Sequence, residues 1–213
     1  MKSGEFKRMA DIAIGIFDGP HATPALHDSG EAVFLGIREI TEHGQIDVSS
    51  ARWVSEADYP KWTKRVTPQA GDIVFTYEAT LNLYALIPNG LKCCLGRRTA
   101  LIRPDPLKVN PRFLFAYLFS PAWRSQVDAN TIPGATVDRI ALTKFPDFLV
   151  RVPPRDEQDR IATAISQYDD LLENLGRQQQ ILIQAKSLLL PKLMSGQLDV
   201  SRIPLPEVDD LAI

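Results

Sequence analysis

Apolar and polar residues alternate at two different rates along this chain, and the change of rate divides it near Pro154. Before that point, short runs alternate with period two or are apolar throughout, and turn residues separate them; this is the signature of strands. Asp11–Phe17, Glu31–Ile40, Gly71–Tyr77, Leu81–Ile87, Cys93–Arg103 and Asp147–Val152 are the candidate strands. Asp18–Gly30, rich in Gly, Pro, His and Asp, reads as a loop, and so does the polar stretch Asn130–Thr136. Ser55 with Asp58 three residues on can cap a short helix, which Pro60 interrupts early. Asn110-Pro111 and Ser120-Pro121 each place a capping side chain before a proline at the first helical position. They predict helices through Phe113–Leu118 and Ala122–Ala129. The fold class is therefore α+β, with a head of mixed short strands and helices over residues 1–154.

Beyond Pro153-Pro154 the pattern is helical. Asp156 is the expected N-cap, and Glu157 and Asp159 place negative charge in the first turn, where the helix dipole favours it. From Ile161, residues recur at alternating steps of four and three. One series is Ile161, Tyr168, Leu175, Leu182 and Leu189; the other is Ile165, Leu172, Gln179, Lys186 and Leu193. Only Gln179 and Lys186 interrupt an apolar or aromatic seam with the 3.5-residue period of a coiled coil. The seam is roughly 50 Å long at ~1.5 Å per residue. It could pack lengthwise on its own head, but a head of this size has a radius near ~15 Å, so the helix is expected to overhang it and to need a second chain. An antiparallel pairing centred near Arg177 sets Ile161 against the partner's Leu193, Ile165 against its Leu189, Leu172 against its Leu182 and Leu175 against its Gln179. In that register Tyr168 meets the partner's Lys186, whose stem can lie over the ring. Pro191 is expected to end the straight helix near Leu190. The segments read as a head over 1–154, a pairing helix over 155–198 and a C-terminal tail over 199–213.

Composition limits the function more than it defines it. The net charge is −2 over 213 residues. Residues 1–154 hold 18 Lys and Arg against 16 Asp and Glu, and residues 155–213 hold 6 against 10. Neither part has the basic excess of a sequence-blind nucleic-acid binder, so any DNA contact must be a local patch. No apolar run reaches the ~18 residues of a membrane helix, and the charged start Met1–Asp11 has no apolar core of a signal peptide. Both point to a cytoplasmic protein with no membrane partner. Cys93 and Cys94 are adjacent and lack zinc or redox spacing, which suits buried strand residues. The histidines, His21, His27 and His43, form no metal-protease motif, and neither a phosphate loop nor a nucleophile elbow is present. Asp18-Gly-Pro-His21 reads as a turn, against the alternatives of a catalytic pair or a His–Asp metal site. No catalytic residue, metal or cofactor is expected.

Three clusters remain that could meet DNA or could be ordinary solvated surface. The first is Trp53, Lys61, Trp62, Lys64 and Arg65; the second is Arg97-Arg98 after Gly96; the third is Asn130–Thr136 with Arg139. Arg pairs with guanine and Asn with adenine through two hydrogen bonds in the major groove, whereas Lys61 and Lys64 suit phosphates. The candidate contacts are Lys61, Lys64, Arg65, Tyr77, Arg97, Arg98, Asn130, Thr131, Thr136 and Arg139. The candidate pairing residues are Ile161, Ile165, Tyr168, Leu172, Leu175, Leu182, Leu189 and Leu193.

The order of motifs carries a family resemblance. Ile14–Pro24 (IGIFDGPHATP), Asp28–Gly30 and Val33–Ile40 resemble the opening of a target-recognition domain of type I restriction–modification specificity subunits. Tyr59–Arg65 (YPKWTKR), Pro68–Tyr77 (PQAGDIVFTY) and Leu95–Ile102 (LGRRTALI) are similar to its centre. Gly134-Ala135-Thr136, Val152–Ile161 (VPPRDEQDRI) and Leu189–Leu198 (LLPKLMSGQL) resemble the entry to, and end of, its conserved helix. Thr80–Leu83 (TLNL) lacks a glycine the family pattern suggests, and Pro191 is unusual in the helix. The family carries two recognition domains and two helices that pair antiparallel. This chain resembles one half, so the resemblance implies that two copies pair and read a palindromic, bipartite site. At ~3.4 Å per base pair the seam allows half-site centres up to roughly 15 base pairs apart. The implied partners are double-stranded DNA, a methyltransferase subunit that binds S-adenosylmethionine, and an ATP-using restriction subunit. The competing functions are a homodimeric adaptor that binds protein without reading DNA, and a single-chain nuclease or methyltransferase relative. The latter is disfavoured because no catalytic motif accompanies the head.

Overall fold

The computed structural model describes residues 4–198, and the tail expected at 199–213 lies outside them. Two compact units divide between Ala164 and Ile165. The first unit begins with β1 (Glu5–Arg8), α1 (Met9–Ile12), β2 (Ala13–Asp18), β3 (Ala32–Leu35) and β4 (Trp53–Val54). One helical turn, α2 (Tyr59–Trp62), leads to β5 (Ile73–Thr76), β6 (Tyr84–Leu86), β7 (Cys93–Leu95) and β8 (Thr99–Pro104). Then come α3 (Pro111–Tyr117), α4 (Pro121–Ala129), β9 (Thr131–Ile132), β10 (Arg139–Ile140), a 3-10 turn at Phe145–Asp147 and β11 (Leu149–Val152). The last element is α5, Arg155–Met194.

The central sheet runs β2-β8-β5-β6, all antiparallel. Every residue of β5 is buried, because both faces of this sheet are covered. Ile73, Phe75, Tyr84, Ala100 and Ile102 face one core, with Phe113 and Leu114 of α3 and Trp123 and Val127 of α4. Val74, Ala85 and Leu101, their neighbours along the strands, face a second core with Val33, Leu35, Cys93 and Leu95. That second layer is the sheet β4-β3-β7, in which β3 and β7 run parallel. The strand period of two also separates the cysteines. Cys93 lies in the second core, and Cys94 points the other way against Val54 and Trp62.

Both cysteines are free and buried, and burial pushes each thiol up to about 12 from an ordinary 9. The unfolded chain therefore ionises them first as the pH rises. Their contribution is whole below pH 9 and is lost between pH 9 and 12, by about 1.4 kcal/mol per thiol at pH 10. Urea melts at pH 7.5, 9 and 10 should show this fall, and a Cys93→Ala/Cys94→Ala variant should flatten it.

Local signals are borne out where the capping chemistry is local. The Asn110 side chain accepts from the amides of Arg112 (2.9 Å) and Phe113 (3.2 Å), and Ser120 Oγ accepts from the Trp123 amide (3.2 Å). Several expectations need correction. The candidate strand Asp11–Phe17 starts inside α1, where the Asp11 carboxylate accepts from both the amide and the guanidinium of Arg8. Glu31–Ile40 is a strand only over Ala32–Leu35, because Glu39 turns back and accepts from the Gly36 amide at 2.9 Å. Cys93–Arg103 is two strands in different sheets, broken at Gly96–Arg98. The Asn130–Thr136 loop opens with β9, which pairs with β10. The long helix starts at Arg155, not after an Asp156 cap, and runs through Pro191 to Met194.

The start of α5 is fixed to the head by polar contacts. Gln158, 3% exposed, accepts from the Asn110 amide (2.8 Å) and donates to the Pro153 carbonyl (2.8 Å). Asp159 accepts from Asn110 Nδ2 (2.7 Å) and Arg155 Nε (2.8 Å), which holds its carboxyl below the ordinary carboxylate value. One asparagine thus caps α3 and anchors α5.

Candidate nucleic-acid interface

The register of the central sheet brings three segment ends together. Asp18 closes β2 opposite Ala100, and Thr76 closes β5 opposite Thr99, where β8 begins. The chain leaving these ends forms one rim: Gly19–His21, Tyr77–Asn82 and Gly96–Arg98. The segments pack without room for side chains. A Cβ on Gly19 would collide with the Gly96 carbonyl, and one on Gly96 would sit 2.6 Å from the Leu35 carbonyl. The hairpin β9–β10 adds itself to the same rim. Arg139 bridges to Glu78, the Ile140 amide donates to the Tyr77 carbonyl (2.8 Å), and the Ala79 amide donates to the Asp138 carbonyl (2.9 Å).

Four of the expected contact residues meet here. Arg65 reaches Asp18 at 2.6 Å, and the same carboxylate faces His21 Nε2 at 3.0 Å. Arg98, half-buried, pairs with Glu78 at 3.2 Å. Arg97 and Arg139 are exposed, and no ion pair is seen for either among the described residues. Lys61, at the end of α2, and Lys64, just past it, are exposed close in sequence to Arg65.

Other expected residues take different parts. Tyr77 is only 5% exposed; its hydroxyl donates to the Arg97 carbonyl (3.0 Å) and its amide to the Arg98 carbonyl (3.2 Å). It holds the arginine turn from beneath rather than presenting its ring. Burial, with Asp18 and Glu78 adding to it, raises its phenol above the ordinary value. Asn130 Nδ2 donates to the Gln126 carbonyl (2.8 Å) and Thr131 Oγ1 to the Val127 carbonyl (2.9 Å), so both close the end of α4. Thr136 is exposed in the turn between β9 and β10.

The carboxylates Asp18 and Glu78 are the rim residues that sequence reasoning missed. The rim also contains the two non-glycine residues that have left-handed backbone among the described residues, Ala79 (φ 69°) and Asn82 (φ 63°). Asn82 occupies the turn where the family pattern suggested glycine. Asparagine tolerates this conformation, and its Oδ1 accepts from the Tyr84 hydroxyl at 3.0 Å. Among the described residues no cluster of His, Cys, Asp or Glu could hold a metal ion, and no helix is long and apolar enough to cross a membrane.

The sequence model of the type I restriction modification DNA specificity domain matches residues 24–182, well over half of the chain. The chain belongs to this family. Among curated relatives, the type I restriction enzyme MjaIX specificity subunit of Methanocaldococcus jannaschii is 25% identical over 154 residues, 72% of this chain and 34% of that one. Two solved structures share the fold, a mixed head followed by a long C-terminal helix. The type I restriction-modification S subunit from M. genitalium has a TM-score of 0.65 at 15% identity, over 92% of this chain and 47% of that one. The HsdS subunit from Thermoanaerobacter tengcongensis has a TM-score of 0.60 at 19% identity, over 97% and 52%. The chain thus spans about a third of the curated relative's length and about half of each solved chain.

A second surface, apolar, lies along α5. Of the expected pairing residues, Tyr168, Leu172, Leu175, Leu182, Leu189 and Leu193 are exposed by 40% to 69%, Ile165 is half-buried, and Ile161 already packs against the head's core. Leu171, Ile181, Ile183, Leu188 and Leu190 are exposed as well, so the apolar surface is wider than the two-series seam.

Proposed function

We propose that this chain is the non-catalytic DNA-specificity subunit of a type I restriction–modification system, with residues 1–154 reading one half-site and residues 155–198 pairing two copies. Two heads related by a two-fold axis read a palindromic, bipartite site of double-stranded DNA in the cytoplasm. A methyltransferase subunit and a restriction subunit supply the chemistry. The observation that carries this reading is the rim. Arg65, Arg97, Arg98 and Arg139, drawn from three separate segments, lie at one end of one sheet, in a chain of this family. The exposed Arg97 and Arg139 are assigned to base edges, and the exposed Lys61 and Lys64 to phosphates. Asp18 and Glu78 offset two of the four guanidiniums, which keeps sequence-blind binding weak and leaves affinity to depend on the methyltransferase.

Co-expression with a cognate methyltransferase subunit, followed by sequencing of modified adenines, tests the proposal. The wild type should yield one palindromic bipartite motif. Arg97→Ala should cost ~1–3 kcal/mol of discrimination at the base it reads, relaxing the same position in both half-sites. Lys61→Gln/Lys64→Gln should weaken binding evenly across sequences and lower the salt slope by about 2. Methylation without any motif would instead support a homodimeric adaptor that does not read DNA.

A further inference from the structure

The head carries an apolar cavity that the rim does not use. It has a volume of about 540 Å³ and lies between β1, α3, the start of α4 and the first turns of α5. Phe6, Phe113, Tyr117, Pro121 and Ile161 give it an apolar lining, with Arg151 at its edge. Phe6 stands 67% exposed on β1, a strand paired on one edge only, with β11. The lining is mostly apolar and aromatic, which suits an apolar occupant.

Ile161 belongs both to this cavity and to the seam. The antiparallel register centred near Arg177 sets the partner's Leu193 opposite Ile161, and the partner's Met194 beside Arg160. These residues close α5. Gly196, at φ +69°, stops the helix, its amide donating to the Leu193 carbonyl at 3.1 Å. The helix therefore presents Leu190, Leu193 and Met194 as an apolar tip, Met194 being 80% exposed.

We infer that the cavity is the seat for the tip of α5 from a second copy of this chain, so that each head clasps the end of its partner's helix. The inference rests on the proposed antiparallel pairing and extends it from helix against helix to helix tip against head. It gives the dimer two further apolar contacts, one at each end. It also ties the position of each head to the far end of the partner's helix, which fixes the spacing between half-sites more firmly than one seam can.

Thiol cross-linking tests this in the intact chain. Cys93 and Cys94 are buried and their thiols are held largely un-ionised at neutral pH, so introduced cysteines react selectively. Two differently tagged chains, one Ala122→Cys and the other Met194→Cys, are co-expressed, purified together and treated with a short bis-maleimide. A covalent product carrying both tags, with the link mapped by mass spectrometry to 122 and 194, is expected. A second variant, Gln179→Cys, reports the seam alone, since the two thiols lie about one helical turn apart across its centre. If Gln179→Cys chains link and the 122–194 pair does not, the seat is overturned and the pairing stands. If neither links and light scattering shows a monomer, the pairing fails and the seat with it.

Discussion

Leu172→Glu/Leu182→Glu should turn the proposed dimer into monomers at every concentration accessible to light scattering. The antiparallel register sets Leu172 against the partner's Leu182, and the two-fold axis repeats the pair. The double variant thus removes four leucines and places carboxylates face to face. Both leucines are more than 60% exposed in the single chain, so nothing in the head depends on them. Burying one leucine contributes ~1.5–3 kcal/mol; losing four weakens pairing by at least ~6 kcal/mol, a factor of about 10⁴. The head should keep its melting temperature, since both positions lie beyond the first compact unit. Modification directed by the variant should lose its bipartite motif. A variant that still sediments as a dimer would show that α5 pairs through another face, and the off-seam residues Ile181 and Leu188 would then be the ones to change.

Features set by neighbours in sequence were legible; features set by distant partners were not. Asn110 and Ser120 announce their helices because a cap acts within three residues. The interior strand β5 announces itself because burial on both faces leaves four apolar or small residues in a row. By contrast, β1 is Glu-Phe-Lys-Arg with one residue half-buried and the others exposed. It is a strand only because β11, far along the chain, pairs with it, from Arg8 opposite Leu149 to Glu5 opposite Val152; the Arg8 side chain also reaches Asp147 in the turn before β11. Pro191 is expected to end the straight helix near Leu190, with Leu193 on a short final turn before Gly196; the helix instead runs through Pro191 to Met194.

The same division runs through the site. The arginines of the rim stand out from local basic clusters. Their carboxylate partners do not, because Arg65 and Asp18 are 47 residues apart and Arg98 and Glu78 are 20 apart. Tyr77 stands among the expected contact residues as the last residue of the family-like motif Pro68–Tyr77. Its burial depends on the Gly96–Arg98 turn folding over it, which no local pattern states. The long helix α5 was the most legible element of all, since its period is written in one continuous stretch.

Trp123→Ala should unfold the head at a markedly lower temperature while leaving α5 able to pair. Trp123 is fully buried and meets Phe145, Phe148 and Tyr117 edge-on at 5.7, 5.7 and 6.4 Å between ring centres. Its Nε1 donates to the Tyr84 hydroxyl at 2.8 Å. Large-to-small changes of this kind cost ~3–5 kcal/mol, and for a chain of this size each kcal/mol lowers the melting temperature by about 2–4 °C. A drop of roughly 6–20 °C is expected. Trp123→Phe separates packing from hydrogen bonding. It keeps a ring in the cluster but leaves the Tyr84 oxygen without its donor, at a cost of ~1–3 kcal/mol. The consequence reaches the rim, because the Tyr84 hydroxyl also donates to Asn82 Oδ1 and so steadies the left-handed turn that follows Tyr77. Both variants should therefore blur the methylated motif at temperatures below their melting points. If Trp123→Ala and Trp123→Phe melt together and the motif stays sharp, the aromatic cluster supports the fold without supporting the rim.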